Sequence, residues 1–303
     1  MGFHPLPISS RDFAAVISTY AAKEGKLPSI MTMTSAVSFA HTLNGFASPT
    51  QHRSFSLVMR GIKRKTFKMP KRAVPFTTKL VQALMLGLIG DDLNHDSHYD
   101  VGLLEWRTVA MAVMTFSALA RFDCLTKLMP HHLTFQPKAV IVFFPASKTD
   151  QIGAGASVSV HRSNSPFCPV DFLEAYSKRL SWEFNSEHPS KLYAGPLFPS
   201  LTVRKIMFEF GPAITALPPT LSAFSRSAAT ISLRKGLEKI GHPSPSSFTL
   251  HSGRRGGASA AVAAGCDMLT LKRQGRWKLD SCPQLYVDDH VNLDTDFTTS
   301  LDL

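Results

Sequence analysis

The sequence lacks a hydrophobic run long enough to cross a membrane. Its longest apolar stretches, residues 80–90 and 109–120, fall short of the roughly 20 residues that a membrane-spanning helix needs. Both stretches therefore predict buried helices. The N-terminal residues MGFHPLPISSRDF contain no basic stretch followed by an apolar one, so no secretory signal is visible. We expect an intracellular protein with no membrane partner.

Cysteine is also scarce. The four cysteines, Cys124, Cys168, Cys266 and Cys282, form no CxxC pair, and no histidine lies at a spacing typical of zinc sites. This pattern indicates reduced thiols with structural roles. It predicts no metal site.

Acidic residues are rare in the N-terminal quarter of the chain. Residues 1–75 contain eleven Lys and Arg against two Asp and Glu, and the remainder contains twenty-two against twenty. The densest cationic segment, RGIKRKTFKMPKR (Arg60–Arg72), is of the kind that neutralises phosphates. A solvated helix face, an import signal or an aid to solubility are the alternatives. The candidate nucleic-acid-binding residues are Arg60, Lys63, Arg64, Lys65, Lys68, Lys71 and Arg72.

The N-terminal part of the chain predicts a small all-α unit. Helical patterns cover RDFAAVISTYAAKEGK, then SIMTMTSAVSFAHTLNG, which Gly45 ends, then SPTQHRSFSLVMRGIKRK, which Ser48 and Pro49 open. The proline-containing and basic stretch KTFKMPKRAVPF predicts a linker near residues 66–76. At 303 residues the chain is long enough for two domains, which we place at residues 1–70 and 71–303.

The second domain begins with a helix that Thr77 or Thr78 caps. The stretch GLLEWRTVAMAVMTFSALA predicts a long buried helix that ends close to Arg121. The segments HLTFQP, KAVIVFFPA and ASVSVHR have strand-like patterns, with the loop SKTDQIGAGA between the last two. Helical patterns resume at VDFLEAYSKRL. The fold class is therefore mainly α with a small antiparallel β-sheet (α+β).

A phosphate-binding pattern opens one of the later helices. In TLHSGRRGGAS, His251 and Arg254 are spaced to share a helix face. They stand at a helix N-terminus, where free N–H groups and the helix dipole favour an anion, and a guanidinium fork binds phosphate well. Small residues follow up to Gly265, which is a C-terminal stop signal. The alternative is that His251 caps the helix while Arg254 and Arg255 face solvent.

The surroundings of this pattern resemble a known family. HSGRRGGAS, then LKRQGRW (Leu271–Trp277), then Tyr286 nine residues after Trp277, are similar to the tyrosine recombinase or phage-integrase superfamily. Its second catalytic box is His-x-x-Arg, followed by Gly-x-His/Trp and a tyrosine. ALARFDCLTKL (Ala118–Leu128) resembles the family's first arginine box, and ASKTDQ (Ala146–Gln151) resembles the hairpin loop that bears its lysine. The GRW and ARFD motifs most resemble those of eukaryotic mobile-element recombinases of the crypton and related types.

The resemblance implies the fold and the chemistry. The expected architecture is a tyrosine recombinase catalytic domain preceded by an all-α, SAM-like core-binding domain. Arg121, His251, Arg254 and Trp277 would bind the non-bridging oxygens of the scissile phosphate, and Tyr286 would form a 3′-phosphotyrosyl link. Lys148 would be the general acid for the departing 5′ oxygen. The implied reaction requires no cofactor and no metal.

Each residue also has an ordinary structural reading. Arg121 could be a charge that ends an apolar helix, Lys148 a solvated hairpin lysine, and Trp277 and Tyr286 packing residues. The sequence also departs from the family pattern, since Cys124 stands where the first box usually has an acidic residue. Pro283 precedes Tyr286 and suits the first turn of a helix. The all-α unit is shorter than the family's by about one helix.

The function expected from the resemblance is a site-specific DNA recombinase or integrase that acts on double-stranded DNA as a homotetramer. A catalytically inactive or domesticated DNA-binding derivative is the alternative, and a type IB topoisomerase is a third candidate that the small N-terminal domain disfavours. The segment VDDHVNLDTDFTTSLDL could contact a neighbouring protomer or be a disordered tail. The resemblance implies the nucleus as the site of action in a eukaryote, and the cytoplasm or nucleoid in a bacterium.

Overall fold

The chain divides into two compact units, Met1–Arg72 and Ala73–Leu303. The computed structural model describes residues 6–23, 25–66, 72–90, 101–147, 150, 152–184, 193–201 and 220–286. None of the helices in these ranges is long and apolar enough to cross a membrane.

The N-terminal unit contains three helices in its described residues. They are α1 (Ser10–Ala22), α2 (Leu27–Leu43) and α3 (Arg53–Lys65). The Ser9 hydroxyl accepts from the Asp12 N–H at 3.1 Å and so caps α1. One small core joins the three helices, in which the Phe13 and Phe55 rings stack at 5.2 Å. Gly45 has a φ of 74° just after α2, which confirms its role as a stop.

The start of α3 differs from the sequence prediction. Ser48 and Pro49 do not open it; the helix begins at Arg53, and the His52 imidazole accepts from the Ser54 N–H at 3.2 Å. The Ser48 hydroxyl instead bonds the Ser38 and Thr50 hydroxyls, at 2.8 and 2.9 Å. These bonds hold Ser48 in the loop between α2 and α3, and His52 caps α3 instead.

The second unit is mainly helical with a small antiparallel sheet, as predicted. Its helices are α4 (Thr78–Leu88), α5 (Leu103–Ser117), α6 (Phe122–Leu125), α7 (Pro169–Phe184), α8 (Arg226–Lys239), α9 (Ser252–Ala263), α10 (Met268–Gly275) and α11 (Ser281–Gln284). The strands β1 (Leu133–Gln136), β2 (Ala139–Phe144) and β3 (Ala156–His161) pair antiparallel in that order. The Thr77 hydroxyl accepts from the Leu80 N–H at 3.1 Å, which confirms Thr77 as the cap of α4.

Helix α5 is the centre of this unit. Every residue from Trp106 to Thr115 is buried, and helices α4, α7, α8 and α9 all pack against it. The helix ends at Ser117, and Arg121 is the N-cap of the separate short helix α6. The long helix therefore ends four residues before Arg121, and the turn Ala118–Ala120 joins the two helices.

A second, two-stranded sheet was not predicted. Strands β4 (Pro199–Ser200) and β5 (Thr220–Ala223) pair antiparallel. β4 has two residues, one of them a proline, and β5 has four residues, so neither is long enough to show an alternating pattern that would indicate a strand. Their pairing depends on tertiary contacts.

Candidate active site

The N-terminal half of α9 lies directly against α5 because its glycines have no side chains. A Cβ added at Gly257 would fall 2.0 Å from the Phe116 carbonyl oxygen, and one at Gly253 would fall 2.0 Å from the Thr115 hydroxyl. A Cβ at Gly256 would meet the Phe76 carbonyl at the same distance, 2.0 Å. The small residues read from the sequence therefore allow a close backbone approach, and this approach brings Arg254 into the interior.

Arg254 is fully buried, with 0% of its surface exposed. Its Nη1 donates to the Leu119 carbonyl, and its Nη2 donates to the Gly275 carbonyl at 2.6 Å. The Nε–H has no acceptor among the described residues. Burial first, and then the positive charge of Arg121, lowers the pKa of the guanidinium to about 9. Arg255 is buried as well, so the alternative that both arginines face solvent is wrong.

Two aromatic rings lie beside the Arg254 guanidinium. Its Cζ is 4.4 Å from the centroid of the Trp277 ring and 5.1 Å from that of Tyr286. The two rings also contact each other, with centroids 5.1 Å apart. The indole N–H of Trp277 is buried and has no acceptor among the described residues. A buried donor without a partner is costly, so this indole N–H is a candidate donor to a bound ligand.

The backbone near Tyr286 is held by α9 and by the last short helix. The Ser259 hydroxyl donates to the Tyr286 carbonyl at 3.2 Å, and the Tyr286 N–H donates to the Pro283 carbonyl at 2.9 Å. Pro283 is buried within the four-residue helix α11, which confirms that it does not break the segment. The Tyr286 side chain is half-buried.

Arg121 lies at the start of α6 and is half-buried. The neighbouring carboxylate, Asp123, pairs with Arg226 rather than with Arg121. Cys124, three residues after Arg121, is a buried free thiol. Within the described residues, no carboxylate forms an ion pair with Arg121 or Arg254. The positive charge of this pair is therefore not neutralised by the protein there.

His251 is the residue before α9, yet its side chain makes no capping hydrogen bond. His251 therefore occupies the N-cap position of α9, but its imidazole does not cap the helix. Burial lowers the pKa of His251, and the positive charges of Arg226, Arg254 and Arg121 lower it further, whereas Asp123 raises it. This shift favours the neutral form of the imidazole. The charges that act on His251 place it in the neighbourhood of Arg121 and Arg254.

Sequence reasoning missed the role of Arg276. This residue ends α10 with a left-handed backbone, φ 54°, and its Nη1 and Nη2 donate to the Ala118 and Leu119 carbonyls at 3.3 and 3.2 Å. The Gln274 amide donates to the Ser117 carbonyl at 3.1 Å. These side chains satisfy carbonyls that the end of α5 leaves without helical partners. The sequence signal was the unassigned arginine in GRW.

The structure brings together five of the six predicted catalytic residues in the second unit. They are Arg121, His251, Arg254, Trp277 and Tyr286. Lys148 lies outside the described residues. The loop that carries it joins β2 and β3, as the sequence predicts.

The predicted DNA-binding residues belong to the N-terminal unit. On α3 the side chains of Phe55, Met59 and Ile62 are buried in the core. The opposite face exposes Arg60, Lys63, Arg64 and Lys65, and α3 contains no acidic residue. Arg72 is exposed as well, while Lys68 and Lys71 lie outside the described residues.

Comparisons with known proteins agree with this architecture. The integrase/recombinase XerD homologue of Selenomonas ruminantium is 24% identical over 292 residues, which cover 95% of this chain and 75% of that protein. No family model matches the chain.

Solved structures support the same fold. The Tn1549 transposon integrase in complex with circular intermediate DNA superposes with a TM-score of 0.53 at 15% identity, over 98% of this chain and 86% of that one. A lambda integrase dimer bound to a COC′ core site gives a TM-score of 0.51 at 14% identity, over 95% and 83%. The likeness to crypton-type recombinases stays a prediction, since neither structure bears on it.

Proposed function

We propose that this chain, which has the fold of the tyrosine recombinase and integrase superfamily, is a site-specific DNA recombinase. It would cut and rejoin DNA strands through a 3′-phosphotyrosyl link to Tyr286. One observation carries the proposal. A buried guanidinium, that of Arg254, lies against the Tyr286 ring at 5.1 Å, and no carboxylate among the described residues pairs with it.

The uncompensated cations suit a phosphodiester in its transition state. Attack on phosphorus adds negative charge to the non-bridging oxygens, and fixed donors aimed at those oxygens lower the barrier. Arg121 and Arg254 would supply the charge, and the indole N–H of Trp277 and a ring N–H of neutral His251 would supply further donors. The Arg254 guanidinium donates hydrogen bonds to the Leu119 and Gly275 carbonyls, so its orientation is set before substrate binds.

The reaction balances without a cofactor. The Tyr286 phenol gives its proton to solvent as its oxygen attacks phosphorus, and the bond from phosphorus to the 5′ oxygen breaks. The departing 5′ oxygen takes a proton, for which we propose Lys148 as donor. A 5′ hydroxyl from another strand then gives its proton to Lys148 and attacks the phosphotyrosyl link. This restores the phosphodiester, and the released Tyr286 oxygen takes up a proton from solvent.

Access to Arg254 requires a local movement. The Trp277 and Tyr286 rings flank its guanidinium, which has no exposed surface in this structure. A phosphate would therefore reach the Arg254 donors only after the Tyr286 segment shifts. We infer that DNA binding draws this segment outward and places the phenol oxygen in line with the scissile bond.

The decisive experiment traps the covalent link. A pool of nicked duplexes with randomised sequence is incubated with the chain, denatured and sorted for protein–DNA adducts, and the retained DNA is sequenced to locate the cut. Wild type is expected to give adducts that Tyr286→Phe does not give. The matched control is Tyr20→Phe, which changes an exposed tyrosine of α1 and should leave adduct formation intact.

The same experiment separates the other two functions. A gel shift of the duplexes without any adduct would overturn the cutting activity and support the non-cutting DNA-binding derivative. That derivative has one observation in its favour, because Cys124 replaces the usual acidic neighbour of Arg121. Relaxation of supercoiled DNA with no recombinant product would instead indicate a topoisomerase.

Double-stranded DNA is the proposed partner, contacted in part by the exposed basic face of α3. We further propose that four protomers assemble on two duplexes, and that the acidic residues after Tyr286 contact a neighbouring copy. Sedimentation of the chain with its selected duplex measures the assembly. A complex that never exceeds one protomer per duplex would contradict it.

A further inference from the structure

Among the described residues, two that are not glycine have a left-handed backbone, and these two contact each other. They are Leu119, with φ 47°, and Arg276, with φ 54°. The Nη2 of Arg276 donates to the Leu119 carbonyl at 3.2 Å. A Cβ disfavours this conformation, and residues held in it tend to cluster at functional sites.

Both residues adjoin the proposed catalytic groups. Leu119 precedes Arg121 by two positions, and Arg276 directly precedes Trp277. The Leu119 carbonyl also accepts from Nη1 of Arg254. The Leu119 carbonyl therefore accepts hydrogen bonds from two arginines, Arg254 of α9 and Arg276 at the end of α10. These bonds tie both arginines to the turn that leads to Arg121.

The Arg276 guanidinium is fixed on its other side as well. Its Cζ lies 3.8 Å from the centroid of the Phe144 ring, at the end of β2. Burial lowers the pKa of Arg276 to about 10, and no carboxylate among the described residues pairs with it. The position of the Arg276 guanidinium is therefore set by its hydrogen bonds to the two carbonyls and by its contact with the Phe144 ring.

We infer that Arg276 is a positioning residue of the strand-cutting reaction. It clamps the turn Ala118–Ala120 so that Arg121 and Arg254 are directed at one phosphate, and it does so without touching that phosphate. The inference rests on the proposed function. It assigns a role to a residue that the reaction chemistry alone would not require.

Three substitutions at this position separate the guanidinium from the backbone. Arg276→Gly removes the guanidinium and adopts the left-handed φ readily, Arg276→Ala removes it and strains the backbone, and Arg276→Lys keeps a cation that can reach one carbonyl. Single-turnover adduct formation is expected to fall roughly 100-fold for Gly and Ala, the scale of a misplaced catalytic group. Lysine should recover part of the rate. Duplex affinity should stay within about twofold, since binding is spread over many phosphates.

A double-mutant cycle tests whether Arg276 acts through Arg121. If it does, Arg276→Gly costs little further rate in an Arg121→Lys background, because the group that it positions is already altered. Losses that multiply would overturn the inference. So would a near-wild-type rate for Arg276→Gly beside a slow Arg276→Ala, since backbone strain would then be the whole effect.

Failure of the clamp and failure of the proposed function are distinguishable. A wild-type chain that forms the Tyr286 adduct, with an unchanged rate for Arg276→Gly, overturns the clamp alone. A wild-type chain that forms no adduct overturns the proposed function, and the inference with it. Arg234→Ala is the control, because it removes another arginine that donates to a carbonyl, that of Ser246 at 3.1 Å, outside this cluster.

Discussion

At the scale of single residues, the partners of Arg254 decide what its charge can do. A buried arginine usually needs a carboxylate to offset the loss of water. Here the Leu119 and Gly275 carbonyls take that place. Neutral carbonyls hold the fork in one orientation and leave its full positive charge for an incoming anion. A carboxylate in their place would have cancelled the charge on which the proposed chemistry depends.

Arg254→Lys tests this arrangement. One ammonium cannot span the two carbonyls, so the substitution keeps the charge and loses the fork. The rate of adduct formation is expected to fall roughly 100-fold or more, which is typical for loss of one donor to a transition-state oxygen, while duplex affinity stays nearly constant. Lysine is preferred to alanine here because alanine removes the Arg254 donor from the Gly275 carbonyl and leaves the Leu119 carbonyl with Arg276 alone.

The matched control is Arg255→Lys, on the next residue of the same helix. Arg255 is also buried and donates to the Ala73 carbonyl at 3.4 Å, so this change has a similar effect on packing. Its adduct rate should remain near that of wild type. Parallel losses of rate and affinity in Arg254→Lys would contradict the separation of binding from chemistry.

At the scale of elements, the contact between α5 and α9 builds the site. The glycines of α9 let its backbone reach the carbonyls and hydroxyl at the end of α5. That contact places Arg254 next to the turn Ala118–Ala120. The left-handed Leu119 in this turn costs roughly 1–2 kcal/mol, and the donors from Arg254, Arg276 and Gln274 offset it. The two helices and the turn therefore depend on one another.

Gly257→Ala is expected to disturb this contact. The new Cβ would fall 2.0 Å from the Phe116 carbonyl and 2.8 Å from the Leu119 side chain, and overpacking of this kind costs about 1–3 kcal/mol. Thermal unfolding should show a lower Tm, and the adduct rate should fall with it because Leu119 is displaced.

The control for this prediction is Gly61→Ala on α3. Nothing lies within 4 Å of a Cβ at Gly61, and alanine is about 0.5–1 kcal/mol more favourable than glycine inside a helix. Its Tm should therefore be unchanged or higher. A Gly257→Ala chain as stable as wild type would show that α9 can move away from α5 without cost.

At the scale of the whole molecule, charge is divided unevenly between the two compact units. Residues 1–75 hold eleven basic against two acidic residues, and α3 presents Arg60, Lys63, Arg64 and Lys65 on its exposed face. The proposed chemistry is confined to the other unit. We therefore expect affinity and cutting to respond to different substitutions.

Replacing Lys63, Arg64 and Lys65 together with glutamine should weaken duplex binding at every sequence. Each lost phosphate contact reduces the slope of log affinity against log salt by about 0.9, so three contacts would reduce it by about 2.7. Titrations at several salt concentrations measure the slope. The equivalent triple change of Lys178, Lys235 and Lys239 removes the same charge from the second unit and should leave the slope unchanged. An unaltered slope in the α3 variant would show that these three residues do not contact DNA phosphates.

The sequence by itself determined the order of the elements and the residue types of the site. Local signals were sufficient for this. Gly45, Thr77 and Gly265 end or begin helices through backbone conformation and capping, which depend on a few neighbouring residues. The alternating patterns of the three strands predicted them. The spacing of His251, Arg254, Trp277 and Tyr286 can be read directly from the sequence.

Only the tertiary structure decided how these residues meet. The burial of Arg254, the left-handed turn at Leu119, the donors from Arg276 and the pairing of β4 with β5 all involve segments far apart in sequence. The pairing of Asp123 with Arg226, which leaves Arg121 unneutralised, likewise joins distant residues. Contacts of this kind depend on which helices pack together, and a local pattern of residues does not determine that packing.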